Sequence, residues 1–328
     1  MLKKLILFII TAAMLFCGCT QVNEYEDEEA VMADVTVTEA EPYPVTVGGL
    51  TFNSSPETVG SLSPALTEMI FELGFGDRLV CRSEYCNYPE EAEKIPSAGS
   101  AANPDIDGII SAAPALLITQ SPIANKDITR LTQAGIAVLS IPAPRSGKEL
   151  EENYHSLSLI FSGGIEGDAR ADEATADLRA ALNDAKGSCE SLVFIMNITD
   201  DGFSAATGDS FAGDYAAHFG KNIAAANTSL TLTPEELLAA DPQVILLAHP
   251  LESSDIDPEL SSQLSAFERG HVFVINPSLI ERPTTRLAGI TRKISETVRN
   301  DTGGADFAEI PETSAETVPE ALSEDVNE

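Results

Sequence analysis

The chain has 328 residues and carries 52 acidic against 19 basic side chains, a net charge of −33, with no tryptophan. Seventeen of the acidic residues lie in two terminal stretches, 21–50 and 301–328, and the part between still holds 35 acids against 17 bases. Such a surface repels phosphate backbones and excludes a nucleic-acid partner, while about 250 central residues suffice for two lobes of about 110 each.

Met1-Leu2-Lys3-Lys4 leads into an apolar run, Leu5 to Phe16, too short to span a bilayer and flanked by the basic residues of a secretory signal. The run ends Phe16-Cys17-Gly18-Cys19 and resembles a bacterial lipoprotein signal. The resemblance implies that residues 1–18 are removed and that lipid on Cys19 anchors the mature chain at the extracytoplasmic face of the membrane. Residues 19–50 are expected to form an acidic tether, because 21–50 has eight acids, no Lys or Arg, and too little apolar surface to offset its ordering entropy. A tether of ~30 residues reaches about 30 Å. The tail 301–328, with nine acids and no bases, is expected to be disordered for the same reason.

A first α/β lobe is expected over 51–145. Val59 to Leu62 reads as a strand, Ser63 as a helix cap and Pro64 as the first helical residue. Ala65, Leu66, Met69, Ile70 and Leu73 follow at three- and four-residue spacing, and Gly74 supplies the stop. Leu79 to Cys81 is the next strand, followed by a polar and aromatic loop, Ser83 to Pro89. Ile106–Ser111 and Lys126–Ala134 read as helices, and 115–119 and Ile136–Ile141 as buried parallel strands. In such sheets ligands sit beyond the carboxyl ends of the strands, where Ser63 and the Tyr85 loop fall. Cys81 and Cys86 suit either buried thiols or one disulfide; with no histidine nearby, no metal is expected.

Connecting helices are expected over 146–188: Gly147–Phe161, a break at Gly163-Gly164, and a longer helix from Asp168 to Lys186. About 19 residues span roughly 28 Å, enough for a rigid strut between lobes. A second lobe, 189–300, repeats the order. Ser191–Met196, Val244–Ala248 and Val272–Ile275 read as strands. Ser210–Phe219, Thr233–Ala240 and Arg286–Arg299 read as helices, with Thr233 as cap and Pro234 at the first position. Phe203 and Phe211 are candidate cleft aromatics.

Several runs together, SLSPALTEMIFELGFGDRLV, SEYCNYPEEAEKIPSAG, DIDGIISAAPALLI, GIAVLSI, LTPEELLAADPQVILL and ERPTTRL, resemble the cobalamin-type substrate-binding proteins of ABC importers. That class also serves iron–siderophores and haem, and the likeness covers about Thr58 to Arg299. It implies two α/β lobes with mostly parallel sheets bridged by one long helix, a ligand held between the lobes, and small motions only. It implies delivery to a permease and its ATPase through one carboxylate on each lobe, here Asp107 and Glu235. It implies a monomer with no cofactor, whose ligand is a corrinoid. Tyr85, Gln120, Phe203 and Arg282 are the candidate ligand-binding residues, with Arg286 at a second arginine position near the cleft. Of the aromatic positions in such proteins only Tyr85 is kept; the others fall on Ala101, Gln120 and Ser229.

The same scaffold with an iron–siderophore or haem is the alternative ligand reading. An enzymatic reading starts from one motif. Ala206-Thr207-Gly208-Asp209-Ser210-Phe211 looks like the anion hole of ribokinase-type sugar kinases, but Ala206 replaces the first glycine. Gly208 to Gly213 is one residue too long for a nucleophile elbow. A purely adhesive lipoprotein would need no cleft.

Overall fold

The computed structural model describes residues 41–227 and 231–302, so Cys19, Ser229 and the tail from 303 lie outside the described residues. The first lobe runs β1 (Val45–Val47), β2 (Leu50–Phe52), β3 (Val59–Ser61), α1 (Pro64–Glu72), β4 (Leu79–Arg82), α2 (Glu90–Glu93), α3 (Ile106–Ala112), β5 (Leu116–Thr119), α4 (Asn125–Gln133) and β6 (Ala137–Ser140). Helices α5 (Gly147–Ser162) and α6 (Gly164–Ala185) follow. The second lobe runs β7 (Ser191–Thr199), β8 (Gly202–Ala205), α7 (Phe211–Phe219), β9 (Lys221–Asn222), β10 (Thr231–Leu232), α8 (Pro234–Ala240), β11 (Val244–Ala248), α9 (Pro258–Ser261), α10 (Ser265–Arg269), β12 (Val272–Ile275), α11 (Ser278–Glu281) and α12 (Leu287–Arg299).

The first sheet is parallel throughout, in the order β4-β3-β5-β6. Its inner strands β3 and β5 are buried along their length, as strands covered on both faces must be. Ser63 accepts from the Leu66 amide at 3.3 Å and starts α1 where the sequence predicts, while Gly74, at φ 83°, turns the chain out of it. The second sheet is mixed. Strands β7, β11 and β12 are parallel, but β8 folds back on β7 and β10 pairs antiparallel with β8. Strand β8 is not among the elements expected from the sequence; its four residues lie just beyond the turn at Asp200-Asp201.

One long helix, α6, bridges the lobes, and α5 packs beside it. Helix α6 starts four residues earlier than expected, and only Gly163 separates it from α5. At Gly163 φ is 77°, and an added Cβ would lie 2.4 Å from the Pro42 carbonyl, so glycine is required there. The two helices then run antiparallel: Gly167 lies against Ser158 and Leu159, and Arg179 Nε reaches Glu151 at 3.4 Å. With 22 residues, α6 spans about 33 Å and also carries α12, through Arg292 on Asp177 at 3.0 Å. One apolar core passes from Met69 and Ile118 of the first lobe through Tyr154, Leu157 and Leu178 to Phe194 and Phe273 of the second.

Residues 41–50, expected to belong to the disordered tether, are part of the folded body. Val45, Val47, Leu50 and Phe52 turn partly buried sides toward it, and Gly48-Gly49, both at positive φ, close a two-residue hairpin turn. Tyr43 donates to the Ile160 carbonyl at 2.9 Å and the Gly164 amide donates to Pro42 at 2.9 Å, which ties this segment to the α5–α6 corner. At the other end Asp301 stands 3.4 Å from the buried His271.

Candidate functional site

The carboxyl ends of β3, β4, β5 and β6 open into loops beginning at Leu62, Ser83, Gln120 and Ile141. Those of β11 and β12 open into loops beginning at His249 and Asn276. The two sets of loops meet. Arg282 of the second lobe donates through Nη1 to the Tyr85 carbonyl and to Asn87 Oδ1 of the first, each at 3.1 Å. The Tyr85 ring, 59% exposed, is left free beside this contact. Gln120 is tied to the end of β3, because Ser63 Oγ donates to its Oε1 at 2.6 Å, while its Nε2 is buried without a partner. The amide thus keeps a spare donor at the strand ends. Tyr85, Gln120 and Arg282 are therefore brought to one region.

Phe203 is not. Its ring is 5% exposed and packs among Ile195, Leu232 and Leu260, on the face of the second sheet away from the shared core. There it borders an open groove of about 410 Å³ lined by Asp201, Pro234, Glu235 and Asp257. Alternation along the short β8 decides this, and the sequence analysis had no β8 to alternate along. Phe211 likewise goes to the shared core.

Asp107 and Glu235 both project from the first turn of a short helix, where negative charge is favoured. Asp105 caps the Asp107 helix, and Thr233 caps the other in a reciprocal box with Glu236, so neither candidate acid is used as a cap. Asp107, though exposed, is paired with Arg130 of α4. Glu235 has no ion pair among the described residues.

Beneath the loops lies a polar cluster that the sequence analysis did not anticipate. Glu68 of α1 is 2% exposed and meets Arg286 Nη1 at 3.2 Å and Thr284 Oγ1 at 3.5 Å. One turn on, Glu72 accepts from the Tyr154 hydroxyl of α5, which in turn accepts from the Thr285 amide at 3.0 Å. The Arg286 guanidinium also stacks on Tyr88, 3.9 Å from the ring centroid. Burial raises the Glu68 carboxyl to about 7 against the opposing pull of Arg286, and burial likewise raises Glu72. The signal was in the helix: in PALTEMIFE the polar residues form no solvent face, so Glu68 and Glu72 had to be buried or bonded.

Other candidates resolve simply. Cys81 and Cys86 are buried free thiols, not a disulfide, with Cys86 Sγ 3.1 Å from Thr67 Oγ1. Burial pushes Cys81 up to about 11. The 206–211 stretch spends its backbone inward: Gly208 donates to Ala225, Ser210 to Thr207, and Gly213 to Ser210 Oγ. An added Cβ at Gly213 would lie 1.8 Å from the Thr207 oxygen, so that glycine serves the turn. These amides are spent, which removes the basis of the sugar-kinase reading. Among the described residues no cluster of His, Cys, Asp and Glu is arranged to hold a metal, and no helix is long and apolar enough to cross a membrane.

Residues 59–279 match the model of a family described as periplasmic binding protein. An uncharacterized ABC transporter substrate-binding lipoprotein, YvrC of Bacillus subtilis, is 26% identical over 90% of this chain and 96% of its own. A vitamin B12-binding protein of Vibrio parahaemolyticus is 24% identical over 77% of this chain and 94% of its own. Among solved structures, the periplasmic vitamin B12-binding protein BtuF of Vibrio cholerae has a TM-score of 0.58 at 21% identity, covering 75% of this chain and 98% of that one. The haem-binding protein HutB of Vibrio cholerae has a TM-score of 0.59 at 16% identity, over 74% of this chain and 97% of that one. At these identities the solved structures show the two-lobe fold alone.

The Glu68 shift sets a pH dependence of stability. A carboxyl raised from 4.5 to about 7 on folding stabilises the fold fully below 4.5, and this contribution is lost as pH rises through about 7. Lowering pH from 8 to 6 therefore raises the unfolding free energy, with a ceiling of about 3 kcal/mol from this group over its whole titration. Urea titrations at both pH values check it, and Glu68→Gln flattens the difference.

Proposed function

Because the chain belongs to the periplasmic binding protein family, we propose that it is the extracytoplasmic solute-binding lipoprotein of an ABC importer, anchored by lipid on Cys19, and that its ligand is a corrinoid. The observation that carries this reading is the meeting of strand-end loops from both lobes, where Arg282 grips the Tyr85 loop and leaves the Tyr85 ring exposed. A flat, apolar macrocycle fringed with amides suits that surface: the ring offers a face, Arg282 offers bonds to amide or phosphate oxygens, and Gln120 lies behind them at the strand ends. The relative named as vitamin B12-binding supports the same ligand class. The protein works as a monomer without a cofactor and passes its ligand to a permease and its ATPase.

Haem or a ferric siderophore on the same scaffold is the second reading. It is favoured by one feature, the solvent-facing Tyr85 phenol, an oxygen donor of the kind that holds ferric haem.

Calorimetric titration of the purified protein with cyanocobalamin, cobinamide, a ferric siderophore and haem tests the ligand. Saturable heat with the corrinoids is expected, and Tyr85→Ala weakens it by about 1–2 kcal/mol. Heat with haem or the siderophore and none with either corrinoid would move the protein to the second reading. For delivery, Asp107→Ala together with Glu235→Ala abolishes uptake in whole cells and leaves ligand affinity unchanged. An equal fall in affinity would place those carboxylates in the pocket instead.

A further inference from the structure

Arg286 occupies the cap position of α12, where the positive end of a helix disfavours a cation. The helix therefore does not explain its place, and its contacts do. One face of its guanidinium lies on Tyr88 at 3.9 Å, and its Nη1 meets Glu68 at 3.2 Å. Tyr88 is three residues from Tyr85, in the loop whose Tyr85 carbonyl and Asn87 side chain are held by Arg282. Two arginines of the second lobe thus fix a first-lobe loop that presents an exposed aromatic ring, Tyr85. Arg282 bonds its backbone from the exposed side, and Arg286 stacks on its other tyrosine next to the buried carboxylate.

We propose that Arg286 is a positioning residue for ligand capture: it fixes the 83–89 loop so that Tyr85 stands as a preformed wall, and Glu68 is the counter-charge that fixes Arg286. This rests on the reading that the ligand meets Tyr85. A wall ordered before binding spares the entropy otherwise lost in freezing its side chains on capture. The groups facing Glu68 are Glu72 on its own helix, Arg286 and Arg282, and Thr284, with Tyr154 of α5 bonded to Glu72. Arg286 is thus the nearest cation, and it has an anion as its partner only while Glu68 is ionised. Acidification through about 7 therefore loosens the loop even as it stabilises the fold as a whole. Affinity and stability move in opposite directions with pH, which a residue of purely structural importance does not produce.

The test uses the full chain in mild detergent, as wild type, Arg286→Lys and Glu68→Gln. Lysine keeps a charge against Glu68 but has no plane to stack on Tyr88, so this variant is expected to fold. Hydrogen exchange on the ligand-free proteins is the first measurement. Amides of 83–88 should exchange about two- to thirtyfold faster in Arg286→Lys, with the α5–α6 amides unchanged. Unchanged exchange in 83–88, or a rise spread evenly over the chain, overturns the proposal whatever the ligand is. Cyanocobalamin titration is the second. Affinity should fall by a similar factor in Arg286→Lys, and in wild type should weaken up to about tenfold from pH 8 to 6, a dependence absent in Glu68→Gln. A loosened loop with unchanged cyanocobalamin affinity also overturns it. If wild type binds no corrinoid, the ligand reading fails separately, and the exchange result still decides whether Arg286 positions the loop.

Discussion

Helix α1 carries one buried carboxylate, Glu68, and one half-buried, Glu72, a turn apart, and the junction of the lobes is built to tolerate them. Glu68 is answered by Arg286 and Thr284, and Glu72 by the Tyr154 hydroxyl. Taking such groups out of water costs several kcal/mol per ion, and here burial outweighs the attraction of the arginine, which is why Glu68 is held near neutral. The cluster therefore does not act as a source of stability. It dictates geometry: the segment 284–286 must lie against α1, and the first-lobe loop must lie against Arg286. The meeting of the two sets of strand-end loops, and so the candidate cleft, follows from that constraint.

The rest of the junction is apolar and continuous. Because α5 and α6 return on each other at Gly163, the long helix that bridges the lobes is backed by α5 on one side, and α12 lies along it. A hinge would have to tear a core that runs from Met69 to Phe273, and close-packed interiors do not deform gradually. The protein is thus organised to capture its ligand on surfaces already in place. A fixed frame also keeps the two exposed acids, Asp107 and Glu235, at a constant separation. The first is paired with Arg130, and the second is unpaired among the described residues.

Much of this was legible in the sequence where local rules and burial agree. Ser63-Pro64, Thr233-Pro234 and the glycine at 74 mark helix ends by the bonds they make, and the Leu116–Thr119 run reads as a buried parallel strand. The likeness to binding proteins of ABC importers was also legible, because several motifs keep their order. What was hidden depends on contacts distant in sequence. Gly163 looks like a break between helices, but only the position of Pro42 shows that it is a tight corner. Residues 41–50 look like tether in the sequence because their few apolar side chains gain partners from segments distant in the chain, the shared core and the α5–α6 corner among them. Phe203 read as a cleft aromatic because nothing local tells which face of a short strand points inward. Glu68 was passed over since single acids on helices are usually solvated.

The central claim is that the two lobes form one body whose cleft exists before the ligand arrives. Distances between spin labels at Lys126→Cys on the first lobe and Glu259→Cys on the second test it most directly, since both sites are exposed and the cysteines at 81, 86 and 189 are buried. With saturating ligand the label separation should stay within about 2 Å of its ligand-free value, as in preorganised complexes. A shortening several times larger would show hinge closure and contradict the claim.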